Sequence, residues 1–513
     1  MRQAIRWLRL PALVAILLLS LTDSLLEHEQ AEAISSRYSF ARVEDELGAR
    51  MKPARTWGSS FVDYNRDGWA DLLVNRHLRR PMFYGNVGGR LRLIPHRRSD
   101  MGRPPKGRNY YDRHSCAWGE GNGDGRLDLY CVSGAQKGEG TGPNQLLIQQ
   151  ADGRLDDVAR SWGAVDPFGR GRTVNWFDYD GDGRLDLFVG NAYRNGYPNQ
   201  LLRNNGREFV AVDTGLPKYM HTGASSWSDW TNDGRPDVLV LSESAGESGA
   251  YVNGRSGFSE VEIREMTDLP WMSGAWGDFD GDGWTDLALV ARQWLTVMHN
   301  DHGELKQIYG TRITDGRVAA WADVDNDGDL DLFVVQGSPG EPAGINAREV
   351  LVVQREGTFV PGRAENLRGP VGGNGDSVSI ADVNHDGRLD FAVTNGFGDG
   401  RDKEATRGEM ILLVNQSPAG NWVVLRLFGT RWNPLGYGAR IQVRTGDLTY
   451  HRELNDGMAF KSQVDVSAVH LGLGTNERAT VTVTWPSGEK DCLRVHSDQI
   501  VKVRLGQHPC RVG

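Results

Sequence analysis

The chain has 513 residues, enough for one large domain or several small ones, and its formal net charge of -9 argues against a nucleic-acid binder. With 65 glycines, 9% aromatic residues and no long run of like charge, it reads as a folded, loop-rich, all-β protein rather than a disordered one. In chain order, the first element is a targeting segment: Arg2, Arg6 and Arg9 precede an apolar run from Leu10 to Leu19. That run is too short for a membrane span, and Ala31-Glu32-Ala33 offers a small-residue cleavage site, so residues 1–33 are assigned to a secretory signal. An uncleaved anchor or a different cut is the other reading. With cleavage, the mature chain has no membrane span and is secreted or sits in the cell envelope, extracellular or periplasmic.

From there the sequence repeats itself. The string D-x-[D/N]-x-D-G-x-x-D begins, with substitutions, at Asp63, Glu120, Asp178, Asp229, Asp278, Asp323 and Asp382, at intervals of 45 to 59 residues. Position five is always Asp, position six Gly, position nine Asp and position ten apolar. Trp stands two residues upstream in five copies: Trp118, Trp176, Trp227, Trp276 and Trp321. Each unit reads as a strand, an acidic loop, an apolar strand such as "LDLFVG", a third strand such as "NQLLRN" and a fourth such as "REFVAV". Four strands in about 50 residues is the size of a propeller blade. The expected fold over 34–418 is therefore a seven-bladed β-propeller. Its seventh unit stops after "EMILLVN", while "YSFARVEDELG" at 38–48 resembles the fourth strands of other units, so the N-terminal strand is expected to complete the last blade. Closure of this kind leaves no open sheet edge.

The acidic loop explains itself only with a cation. Carboxylates at alternate positions of a tight loop converge, and an all-oxygen ligand set on a flexible loop selects calcium. Positions one, three, five and nine give the expected side-chain ligands, loop by loop. They are Asp63, Asn65, Asp67 and Asp71; Glu120, Asn122, Asp124 and Asp128; Asp178, Asp180, Asp182 and Asp186; and Asp229, Asp233 and Asp237, where Thr231 replaces a carboxylate. The last three loops give Asp278, Asp280, Asp282 and Asp286; Asp323, Asp325, Asp327 and Asp331; and Asp382, Asn384, Asp386 and Asp390. Position seven supplies a backbone carbonyl, so its identity is read as free. An EF-hand is excluded, because position twelve lies inside a strand pattern as Val189 or Val290. Seven calcium ions would carry the net charge from -9 to +5, making the acidity mostly metal ligand rather than solvated surface. Sites of this extracellular type bind at roughly 0.1–1 mM, and their binding energy is folding energy.

Four cysteines complete the framework. Cys116 and Cys131 flank the second loop on adjacent strands, and Cys492 and Cys510 bracket the last strand, so two disulfides are expected; four separate thiols is the alternative. Residues 419–513 lack the acidic repeat and read as a small β domain: "NWVVLRLFG", "GARIQVRTG", "VHLGLG", "ATVTVTWPSG" and "QIVKVRLG".

On these motifs the repeats resemble FG-GAP/VCBS repeats, as in integrin α-subunit propellers. The tail resembles the ASPIC/UnbV domain through "NWVVLRL", "GYGARIQV", "SQVDVSAVHLGLG" and "TVTWPSG". The two in this order are similar to the cartilage acidic protein family. The resemblance implies an exported, calcium-binding adhesion or interaction module for proteins or glycans at a surface or matrix. No cysteine-dense EGF-like tail follows within the sequence. Relatives of the domain pair also occur beside enediyne biosynthesis genes, which implies the rival reading: an enzyme of secondary metabolism with a site in the propeller channel.

No catalytic motif stands out: there is no G-x-S-x-G, H-E-x-x-H or Walker string. His385 is read as solvated, and His221 as packed, exposed or lining the channel. Two long insertions, 76–114 and 395–408, are the other places to look. The first is basic and aromatic, with Arg79, Arg80, Arg97, Arg98 and Tyr110 placed to meet an acidic partner. Asn415-Gln416-Ser417 forms a glycosylation sequon.

Overall fold

The computed structural model describes residues 38–510 apart from 52–53, 78, 96–99, 103–111, 135–142, 168, 193–197, 267–268, 338–348, 368–373 and 397–409. Among the described residues every regular element is a strand except two short 3-10 turns, Asp100–Gly102 and Arg264–Met266. Seven sheets carry one acidic loop each, always between their first and second strands. In the third, Gly171–Phe177, Asp186–Asn191, Gln200–Asn204 and Phe209–Val212 follow one another as an antiparallel meander. The first strand is almost wholly buried in every copy, because it faces the common axis and is covered on both sides.

The N-terminal strand behaves as the sequence predicts. Tyr38–Arg42 pairs antiparallel with Ile411–Asn415, placing Phe40 opposite Asn415 and Arg42 opposite Leu413. It thus becomes the outer strand of the sheet that carries Asp382, with Ala364–Glu365 added parallel to it. Tyr38 and Phe40 are buried. Deleting residues 38–44 is expected to expose the edge of Ile411–Asn415 and yield an aggregating product; light scattering of the purified variant checks this, and a soluble monomer would contradict it.

Neighbouring sheets are tied by one repeated bond. The last residue of the third-strand core, always Asn or Gln, donates its side-chain amide to the position-two carbonyl of the preceding acidic loop. The bonds run from Gln149 to Tyr64, Asn204 to Gly121, Asn253 to Tyr179, Asn300 to Trp230, Gln354 to Phe279, Asn415 to Val324 and Asn86 to Val383, at 2.8–3.1 Å. The last of these links the first sheet to the seventh, so the series closes on itself in a propeller-like cycle. The upstream tryptophans reinforce it, with the indole N–H of Trp118, Trp176 and Trp321 each bonded to the first strand of the preceding sheet. The cycle corrects the sequon: Asn415 is fully buried and its amide is bonded, so it is no glycan acceptor.

The tail forms two sheets, one of three strands with Asn421–Phe428 at its centre and one of four, and it covers the acidic-loop side of the cycle. It also sends a hairpin down the axis. Met458–Ala459 and Ser462–Gln463 turn at Phe460 and Lys461, and Gln463 pairs in parallel with Ser60 of the first sheet. The inward edges of several first strands find their partners here: Ser59 N donates to Ser462 Oγ, Trp118 N to Gln463 Oε1 and Trp176 N to Asp456 Oδ2, at 2.9–3.0 Å. On the far side Asp465 N donates to Ile380 O. Gly58 is required by this closeness, since a Cβ there would lie 2.1 Å from the Lys461 carbonyl oxygen. Nothing in the strand pattern of the tail announces this axle.

Both expected disulfides are present. Cys116 and Cys131 lie directly opposite one another across the first two strands of the second sheet, and Cys492 joins Cys510.

Candidate functional site

The seven acidic loops share one hydrogen-bond plan. The position-one carboxylate accepts the N–H of the position-six glycine in every loop, from Gly68 to Asp63 through Gly387 to Asp382. Those glycines have φ between 80° and 102°, a left-handed conformation that disfavours any side chain. Position four is left-handed too, which explains Gly123, Gly181, Gly281, Asn232 and Asn326 there. The position-five carboxylate accepts the N–H of position seven throughout. The position-nine aspartates are fully buried; one oxygen accepts the position-two N–H (in the fourth loop, where it is Asp237, the N–H and hydroxyl of Thr231 at position three) and the other accepts an N–H at the end of the third strand, as in Asp186 with Tyr179 and Asn204.

Position seven is less free than its role as a carbonyl donor suggests. Arg126, Arg184, Arg235 and Arg388 each bridge their own position-five aspartate to the third-strand terminus. His385 is not simply solvated either: half-buried, it stacks on Trp69 of the first loop at 3.6 Å between ring centroids.

In three loops the carboxylate oxygens converge within 4.8 Å of one another: Asp178, Asp180 and Asp186; Asp278, Asp280 and Asp286; and Asp323, Asp325 and Asp327. Burial pushes the Asp186 carboxyl up to about 9 and that of Asp286 up to about 8, the cost of holding negative charge away from water. Clustered, desolvated oxygens of this kind fit a hard divalent cation.

Protein cations also stand at the loop carboxylates: Arg203 lies 2.6 Å from Asp180 in the third loop and Arg355 2.7 Å from Asp325 in the sixth, while the first and fourth loops meet two further arginines. The Arg426 guanidinium, itself buried, reaches Asp63 and the Gly68 carbonyl. Arg440 lies 2.7 Å from Asp229 Oδ2 in the fourth loop, the one with Thr231. Both arginines come from the tail. Arg452, also from the tail, donates to Gly328 O in the sixth loop at 2.8 Å, and His451 lies 3.3 Å from Asp278 in the fifth. The tail is thus docked electrostatically on the loop face. The cleft it leaves beside the third and fourth loops has a volume of about 600 Å³ and is walled by Asp178, Asp229, Arg440 and Trp485.

A second polar cluster surrounds the tip of the axial hairpin, at the opposite ends of the first strands. Lys461 Nζ is buried, bonds both oxygens of Asp376 at 2.9 and 3.1 Å, and stands 4.4 Å over the Trp57 ring. Burial pulls its ammonium below the ordinary lysine value against the opposing pull of Asp376. Nearby, His77 Nδ1 lies 3.0 Å and His114 Nε2 3.3 Å from Asp112 Oδ1. Burial acts to raise Asp112, yet the facing His114 and His77 rings hold it below the ordinary carboxylate value. His114 is pushed down to about 3, first by burial and then by Arg172. His221, at the start of the fourth sheet, is half-buried and with Lys461, Arg172 and Arg292 faces Glu243, which keeps solvent access.

Arg97, Arg98 and Tyr110 lie outside the described residues, as does most of 395–408. The two ends of the basic insertion are described, and they bring His77 and His114 together. Composition hid this cluster, because His77 stands 35 residues from Asp112, Asp376 and Lys461 lie farther still, and the members share no motif.

Comparison with known proteins agrees with this organisation. The FG-GAP-like repeat family matches residues 122–189, 178–240, 229–289 and 278–334, the FG-GAP repeat matches 374–408, and the ASPIC and UnbV family matches 429–509. Cartilage acidic protein 1 of Mus musculus is 25% identical over 422 residues, covering 74% of this chain and 62% of its own length. The Homo sapiens protein is 25% identical over the same span, covering 61% of its length. The chain therefore spans about three fifths of these relatives. Among solved structures, an Agrocybe aegerita lectin that recognises non-reducing terminal N-acetylglucosamine has a TM-score of 0.41 at 15% identity, covering 60% of this chain and 80% of its own. Saccharomyces cerevisiae Sqt1 has a TM-score of 0.42 at 11% identity, covering 74% of this chain and 99% of its own. No helix among the described residues is long and apolar enough to cross a membrane. The chain is thus a homologue of cartilage acidic protein 1, built of FG-GAP repeats followed by an ASPIC and UnbV domain.

Proposed function

We propose that the chain is an exported seven-bladed propeller, residues 34–418, stabilised by calcium and steadied by its tail domain, residues 419–513. Its role is to present loop surface to a protein or glycan at a cell surface or matrix. One observation carries the reading: a single acidic loop geometry repeats in all seven sheets, with carboxylates converging outright in the third, fifth and sixth. Asp178, Asp180 and Asp186 would hold one ion, Asp278, Asp280 and Asp286 a second, and Asp323, Asp325 and Asp327 a third. The ion's part is to neutralise desolvated carboxylates and pin two strands. In the first and fourth loops Arg426 and Arg440 supply part of that neutralisation. The two disulfides suit an oxidising compartment.

The surface best suited to an acidic partner is the basic stretch from Arg76 to His114, of which Arg79 and Arg80 are exposed. Reversing Arg97 and Arg98 to Glu is expected to reduce retention of the full chain on immobilised heparin, used as the acidic-glycan probe, with an unchanged melting curve. Equal retention of wild type and variant would remove this stretch from the binding surface. A second reading, an enzyme with its site at the axis, is favoured by the buried titratable groups around Lys461. It requires turnover that is lost on changing them while calcium and stability are kept.

A further inference from the structure

We propose that His77, Asp112 and His114 form a binding site for a first-row divalent transition ion, separate from the calcium loops and at the other end of the axis. Three independent features of the geometry point to it. The first is spacing. His77 Nδ1 and His114 Nε2 stand 3.0 and 3.3 Å from one carboxylate oxygen, Asp112 Oδ1. Ligands bonded at about 2.0–2.2 Å to a tetrahedral or octahedral ion lie roughly 3.0–3.4 Å from one another. All three side chains offer an atom to a common point.

The second is an unmet need. Asp112 Oδ1 is buried and poorly met: the His114 Nε2–H stands 3.3 Å away, outside good hydrogen-bond geometry, and no other donor among the described residues is better placed. Other donors meet both rings: Trp57 Nε1 donates at 2.9 Å to His77 Nδ1, the atom that faces Asp112, and Arg172 Nη1 at 2.9 Å to His114 Nδ1, the atom that faces away from it. A histidine nitrogen accepting from Trp57 has no proton to give Asp112, so two lone-pair atoms face each other at 3.0 Å. A cation between them removes that conflict. Its entry exchanges the Trp57 bond for one to the ion and expels the Nε2 proton of His114, and the Arg172 guanidinium offsets the charge left on the ring.

The third is room. Gly134 has no left-handed φ, so the backbone does not demand glycine there. A Cβ at that position would lie 2.4 Å from His114 Nε2 and 2.8 Å from Asp112 Oδ2. Glycine therefore keeps open the space beside the ligand atom His114 Nε2 and the other oxygen of the Asp112 carboxylate. Two imidazoles and one carboxylate are an N,N,O set, which calcium disfavours and zinc, iron, cobalt or nickel accept. The cations Lys461 and Arg172 around the cluster are each tied, to Asp376 and to Gly171 O, so the carboxylate of Asp112 stays available.

The test uses the full chain, held in saturating calcium so that the acidic loops are occupied, and titrated with Co2+. The expected result is a saturable visible ligand-field absorption that Zn2+ abolishes. His114→Ala, Asp112→Asn and Gly134→Val should each lose that absorption. Asp178→Asn, in a calcium loop, should keep it. Absence of the band in the wild-type chain overturns the proposal whatever the variants do, and so does a band of undiminished strength in His114→Ala. Neither outcome touches the calcium reading, because calcium is present throughout.

Discussion

Excess chelator is expected to lower the melting temperature of the full chain by about 4–5 °C, and restoring millimolar calcium should recover it. The magnitude follows from mass action. An ion held at ten times its dissociation constant stabilises the folded state by about 1.4 kcal/mol, so three sites of the type formed by Asp178, Asp278 and Asp323 contribute about 4 kcal/mol. In a domain of this size each kcal/mol moves the midpoint by about 1 °C. The third, fifth and sixth loops should account for most of the shift, because their carboxylate oxygens converge within 4.8 Å of one another. Changing Asp178, Asp278 and Asp323 together to Asn should leave a protein whose midpoint responds only weakly to calcium. A melting curve unmoved by chelator would remove the structural role assigned to the loops.

Loss of the axial hairpin should have the larger effect. Asp456 and Gln463 accept the buried backbone N–H groups of Trp176 and Trp118, and no strand of the cycle stands in a position to replace them. A buried donor left without a partner costs about 1–3 kcal/mol. Asp456→Ala combined with Gln463→Ala is therefore expected to destabilise the chain by about 2–6 kcal/mol, read from the urea midpoint at constant slope. Replacing the whole turn from Asp456 to Asp465 with a short glycine linker also removes Phe460 from the buried core cluster it shares with residues of the surrounding sheets, Ala224 and Leu239 among them. That variant should not fold cooperatively. If the two alanine substitutions leave the midpoint unchanged, the hairpin is a passenger and not an axle.

The repeat was legible because its chemistry is local. Gly68 and its six equivalents occupy a left-handed position, and Asp71 and its equivalents are held by N–H groups of their own sheet, so each unit carries its own signature. Closure through Tyr38–Arg42 was legible for the same reason: a strand missing at one end resembled one left over at the other. The amide series from Asn86 to Asn415 was also written in the chain, as an Asn or Gln closing every third-strand core, but it has meaning only once neighbouring sheets are in register. The axle and the cluster at its tip were not legible. Lys461 meets Asp376 across 85 residues, and His77 meets Asp112 across a basic insertion whose composition points to solvent. Ser462 and Gln463 look like turn residues; their partners are strand edges that exist only when the cycle is closed.

The central claim, that the acidic loops are calcium sites, is tested most directly by diffraction from crystals of the full chain grown in calcium, recorded at a wavelength where calcium scatters anomalously. The account predicts anomalous peaks bounded by the carboxylates of Asp178, Asp180 and Asp186, of Asp278, Asp280 and Asp286, and of Asp323, Asp325 and Asp327, each with oxygen ligands at about 2.3–2.6 Å. Water alone between those carboxylates, with no anomalous signal in saturating calcium, would contradict it.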